Sequence, residues 1–115
     1  MQGTKFRPGE DAELSLSAAT TGTGTEKAFN DCRQVAWDLI GAGTISGGTV
    51  KIESAPTSGY AGTWNELDSF DATAVTGGAT LHNNYPGPLA FVRARVSSNI
   101  TGGGTISVRF NGLLG

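Results

Sequence analysis

Short runs of β-branched and aromatic residues alternate with polar ones along this chain, and each run is cut off by a glycine-rich bend. Val35, Trp37 and Leu39 alternate with Ala36 and Asp38, and Val50 and Ile52 with Lys51 and Glu53. Val92, Ala94 and Val96 alternate with Phe91, Arg93 and Arg95, and Ile106, Val108 and Phe110 with Ser107 and Arg109. A period of two sends successive side chains to opposite faces of a strand, so each run reads as a strand with one buried face. The 18 glycines among 115 residues supply the bends. The pattern predicts an all-β fold, a β-sandwich or jelly roll of seven to eight short antiparallel strands, and not βαβ units.

Strands are expected over residues 13–17, 33–40, 50–54, the first part of 63–70, 89–98 and 105–111, with a Gly-interrupted strand pair over 72–83. Ala28, Phe29 and Cys32 have the spacing of one helical turn, and residues 84–88 read as a loop because of Pro86 and Pro88. The last strand carries only Arg109 as a charge, so it reads as an edge left open for pairing. Residues 1–12 are polar, contain Pro8-Gly9 and read as an extended N-terminal arm; residues 13–115 read as a single sandwich domain. Residues 43–52 and 99–108 echo each other in Ile, hydroxyl, glycine and Thr positions, and read as two independent hairpin turns built from the same chemistry.

Composition excludes several classes of function. Eight Lys and Arg against ten Asp and Glu give a net charge of −2, without the basic balance of a general nucleic-acid binder. No run approaches the ~20 apolar residues of a membrane span, and the first residues lack the apolar core of a signal peptide. One cysteine, Cys32, allows no intrachain disulfide, which fits a reducing compartment or assembly inside a cell.

The residues also offer little for catalysis. His82 is the sole histidine, and no Gly-x-Ser-x-Gly elbow accompanies it; it reads as a surface or hydrogen-bonding side chain. One His and one Cys cannot supply a zinc site. Glu66, Asp68 and Asp71 lie close in sequence but lack the spacing of a calcium loop, and read as solvated acids. No glycine cluster is followed by the Lys-Ser/Thr of a phosphate loop. The chain therefore reads as a binding or assembly protein with no catalytic residue, no metal and no cofactor.

Candidate binding residues are few. Trp37 is in phase with Val35 and Leu39 and belongs to the core. Trp64, at a strand start, reads as core or subunit interface, with a ligand platform as the alternative. Arg93, Arg95 and Arg109 fall on the outward faces of two strands expected to be neighbours. Such a stripe is either paired within the chain or left for an acidic partner.

The segments Gly48-Thr49-Val50-Lys51-Ile52-Glu53-Ser54-Ala55, Gly62-Thr63-Trp64-Asn65-Glu66-Leu67, Phe91-Val92-Arg93-Ala94-Arg95-Val96 and Gly104-Thr105-Ile106-Ser107-Val108 resemble, in order, strands of small β-sandwich virion proteins of tailed bacteriophages. The resemblance covers about residues 33–112. It implies a capsid decoration, or cement, protein: a homo-oligomer, usually a trimer, that binds the major capsid protein or another virion protein and braces the head lattice of a particle assembled in the host cytoplasm. A tail, neck or fibre-base component and a carbohydrate-binding module are the alternatives. Docking by Lys5, Phe6 and Arg7 of the arm, by Tyr60, Trp64 and Tyr85, and by Arg93, Arg95 and Arg109 is the corresponding expectation.

Overall fold

The computed structural model describes residues 13–114, so the expected arm, with Lys5, Phe6 and Arg7, lies outside the described residues. Two antiparallel sheets pack face to face. One runs β1 (Glu13–Ala19), β9 (Thr105–Leu114), β4 (Cys32–Ala42), β7 (Thr80–Tyr85). The other runs β2 (Gly22–Thr23), β8 (Phe91–Thr101), β5 (Gly47–Ala55), β6 (Asn65–Asp71), with β3 (Lys27–Ala28) also pairing β8. The expected all-β sandwich is what forms.

The alternation does what it predicts. Val35, Trp37 and Leu39 of β4 and Ile106, Val108 and Phe110 of β9 point inward against Val50 and Ile52 of β5 and Val92 and Ala94 of β8. Trp37 stands opposite Phe110 across the β4–β9 ladder, with ring centroids 6.2 Å apart at 64°. Phe29 tilts against the same ring at 6.1 Å, an edge-on geometry that adds to the area these rings bury.

Four local expectations change. Ala28, Phe29 and Cys32 form no helical turn: β3 ends at Ala28, and Phe29 and Cys32 bury their side chains in the core. Residues 72–83 are no strand pair. Asp71 accepts a hydrogen bond from Thr73 N–H at 3.0 Å and caps a 3-10 helix, Ala72–Gly78. Its buried residues, Ala72 and Val75, are three apart, the period of that helix and not of a strand. Hydrogen bonds from the Thr73 backbone, then its hydroxyl, hold the Asp71 carboxyl below its usual pKa. Residues 84 and 85 belong to β7, so the loop starts at Pro86. Finally, β9 is no edge: it lies between β1 and β4.

The echoing segments are not hairpins either. Each carries the chain from one sheet to the other, β4 to β5 and β8 to β9, and the two crossings lie side by side. Ser46 N–H donates to Thr101 C=O at 2.8 Å, and Gly104 N–H to Thr44 C=O at 2.7 Å. A Cβ on Gly104 would stand 2.6 Å from the Ala42 carbonyl, so only glycine admits this approach.

On the β1 side the sheets are stitched through one buried hydroxyl. Register irregularities in β1 turn both Ser15 and Leu16 inward. Ser15 Oγ accepts from Ala94 N–H of β8 at 2.9 Å and donates to Thr25 C=O at 2.7 Å. Thr25 N–H returns a bond to Ser15 C=O at 2.8 Å. Replacing Ser15 by Ala leaves a buried N–H without its partner, which costs about 1–3 kcal/mol. Chemical denaturation of Ser15→Ala should show that loss, with the β-rich circular-dichroism spectrum of the folded state unchanged.

Candidate functional site

One end of the second sheet is closed by two loops, residues 56–64 between β5 and β6 and residues 86–90 between β7 and β8. Between them lies an open cleft of about 400 Å³. Pro56, Tyr60, Asn65, Pro88 and Leu89 are among the residues that line it. Tyr60 holds the first loop in place. Its ring lies over Gly62, where a Cβ would come within 2.6 Å, and its carbonyl accepts from Trp64 Nε1–H at 3.0 Å.

Trp64 is buried, at 8% exposure. The guanidinium of Arg93 lies over its ring, 4.0 Å from the centroid, a placement that favours a cation over the negative face of the indole. Arg93 Nε–H also donates to Glu53 Oε1 at 3.0 Å. Arg95 donates to Glu53 Oε2 through Nε–H at 3.1 Å and Nη2–H at 2.9 Å. The result is a ladder, Trp64–Arg93–Glu53–Arg95, on the outer face of the sheet beside the cleft. Lys51 reaches Glu66 at 2.7 Å on the same strand pair, β5–β6.

Glu53 is the unexpected member. It sits on an outward position of β5, yet it is only 5% exposed. Burial pushes its carboxyl pKa up, but the hydrogen bonds from Arg95 and Arg93 and their positive charge together outweigh that, and the net shift is downward. The sequence did hold a partial signal: Glu53 on one alternating strand can face either arginine of Arg93-x-Arg95 on another, whereas Lys51 facing one of them is a like-charge pair that needs a nearby acid. In the register found, Glu53 lies opposite Arg93 and Lys51 opposite Arg95.

The structure gathers Tyr60, Trp64, Arg93 and Arg95 at this end. It does not gather Arg109. The expected three-arginine stripe is broken because β8 and β9 belong to different sheets; Arg109 lies on the outer face of the first sheet, opposite Asp38 and Leu14. Tyr85 ends β7, 39% exposed. The three neighbouring acids are dispersed: Glu66 pairs with Lys51, Asp71 caps the 3-10 helix, and Asp68 accepts from Asn83 Nδ2–H at 2.9 Å and Trp37 Nε1–H at 3.4 Å. Among the described residues no three His, Cys, Asp or Glu side chains are grouped to hold a metal ion, and no helix is long and apolar enough to cross a membrane. His82 lies on the exposed outer face of the first sheet, 3.9 Å from Asp38.

No family model and no curated sequence matches the chain. Solved structures do share its fold. The SPBc2 prophage-derived protein YomS superposes with a TM-score of 0.64 at 16% identity, over 98% of this chain and 96% of that one. The CBM22-1–GH10 modules of Clostridium thermocellum endo-1,4-beta-D-xylanase 10B, solved with xylohexaose, give 0.50 at 13% identity, over 98% of this chain and 25% of that one. This chain is thus a small β protein with a phage-related relative in fold.

Glu53 also sets a pH dependence. Its folded pKa lies below the unfolded value of about 4.5, so its contribution to stability is full above that value and is lost as pH falls through the folded pKa. Glu53→Gln should cost up to about 3 kcal/mol near neutral pH, the low end for a broken buried pair because both guanidinium groups reach water. It should also flatten the acid limb of the stability curve, read by urea denaturation from neutral pH down to below the carboxylate range.

Proposed function

We propose that this chain is a non-enzymatic structural protein of a bacteriophage particle, a capsid decoration protein that binds and braces the head lattice. The observation that carries the reading is the site at the loop end: a cleft beside a Trp–Arg–Glu–Arg ladder in which one carboxylate holds two guanidinium groups and leaves one net positive charge, with no metal-ligand cluster among the described residues. Such a site presents shape and directed hydrogen-bond donors, which suits docking and not turnover. The fold likeness to a prophage-derived protein over nearly the whole of both chains supports the same reading.

In this reading the loop end, with Tyr60 at its mouth, meets a capsid protein, and residues 1–12, with Lys5, Phe6 and Arg7, add a second contact by laying an extended segment on that partner. Many copies on one lattice then hold by avidity, so each contact can be weak. A tail or neck location differs in the symmetry of the assembly and is separated from this one by where the chain sits on intact particles. The carbohydrate-binding reading loses its best platform, because the Trp64 ring is buried and covered by Arg93.

The test is occupancy on purified heads lacking the protein, measured by native mass. The full chain should bind; the chain without residues 1–12 should stay folded and lose most of its occupancy. Tyr60→Ala should lower occupancy further than any change on the outer face of the first sheet. Equal occupancy of all these forms, or no binding by the full chain, rejects the proposal.

A further inference from the structure

A sheet edge is a row of unpaired N–H and C=O groups, and proteins blunt such rows with charge, bulges, short strands or a covering segment. Three sides of this sandwich are blunted. The β1 edge is covered by residues 24 and 25 through the Ser15 bonds. The β8 side of the second sheet carries the two-residue strands β2 and β3. Strand β6 bears Glu66, Asp68 and Asp71 and a register irregularity. Strand β7 lacks charge, proline and register irregularity among the described residues, although Asn83 Oδ1 accepts from Asn84 N–H at 2.8 Å and must turn away for that N–H to pair elsewhere. Thr80, Leu81, His82, Asn83, Asn84 and Tyr85 include no acid, no lysine or arginine and no proline. They pair with β4 in unbroken register over all six positions, and every side chain but Leu81 is exposed.

We propose that β7 pairs antiparallel with β7 of a second copy, joining two four-stranded sheets into one of eight strands. The occupant follows from the register. A two-fold axis normal to the sheet keeps the inward faces of both copies on one side, so facing residues must share a face. Leu81, Asn83 and Tyr85 lie opposite the inward residues Leu39, Trp37 and Val35, whereas Thr80, His82 and Asn84 lie opposite the outward ones. With the axis at Asn83, Leu81 of one copy faces Tyr85 of the other, and His82 faces Asn84. Tyr85, one of two large hydrophobic side chains left exposed among the described residues, is thereby covered by a half-buried leucine, and the outward pair is an imidazole and an amide that can hydrogen-bond each other. No like charges meet on β7 itself. The acids of the adjoining strand β6 are engaged within their own chain by Lys51, Asn83, Trp37 and Thr73. The contact closes at two copies, unlike the trimer that the virion resemblance implies, and it stands independently of any binding to heads.

The test is sedimentation velocity of the full chain over a range of concentrations. The wild-type chain should show a monomer–dimer equilibrium. His82→Lys with Asn84→Lys puts like charges opposite each other twice across the axis and should weaken self-association by about tenfold or more. His82→Lys with Asn84→Glu puts opposite charges there and should restore it. Both variants change only exposed positions, and an unchanged circular-dichroism spectrum checks the fold. The register is read separately. A mixture of Leu81→Cys and Tyr85→Cys chains should oxidise to a disulfide-linked pair, since facing Cα atoms in such ladders lie about 4.5–5.5 Å apart, and neither variant alone should. A wild-type chain that stays monomeric throughout, a dimer indifferent to both charge patterns, or a mixture that does not cross-link overturns the proposal; so does cover of β7 by residues 1–12 of its own chain, which would read as monomer.

Discussion

Two sheets sharing one apolar layer is the constraint on which the rest of this protein depends. Charged residues are sparse and apolar residues make up 37% of the chain, so a single layer must hold nearly all of them. Trp37, Phe110 and Phe29 occupy that layer with their rings in edge-on and tilted contact, and the aliphatic residues of β4, β5, β8 and β9 fill in around them. An interior this dense leaves no slack: one slip in register would turn a whole inward row to solvent. The long central strands are therefore fixed, and the loops they carry become rigid supports.

That rigidity explains how polar groups come to be buried at its margins. Ser15, Glu53 and Ser54 are the buried polar or charged residues described. Ser15 replaces a backbone partner that neither sheet could offer at the β1 margin. Glu53 is enclosed because two arginines on the neighbouring strand and a tryptophan from the next loop converge on it. A carboxylate so enclosed contributes directional order more than net stability, since removing it from water consumes most of what the ion pairs return. Its consequence is a face on which one carboxylate holds two guanidinium groups.

The alternation of side chains told correctly which residues face inward on the four long strands, because that depends only on the period of two. The same signal failed over residues 72–78, where Asp71 captures Thr73 N–H and the burial repeat becomes three. Of the candidate site, Tyr60 and Trp64 were legible as aromatics flanking a glycine loop. The role of Glu53 was not, since its partners lie 40 and 42 residues away in the chain.

What the sequence by itself determined is the class of fold and the inward rows of the strands. What only the tertiary structure decided is adjacency. A period of two says which way a side chain points but not which strand lies next to it, so β8 and β9, consecutive in the chain and expected side by side, stand in opposite sheets. That one difference removes Arg109 from the arginines it was expected to join. It gives Arg93 and Arg95 a glutamate in its place and turns the last strand from an open edge into the centre of a sheet.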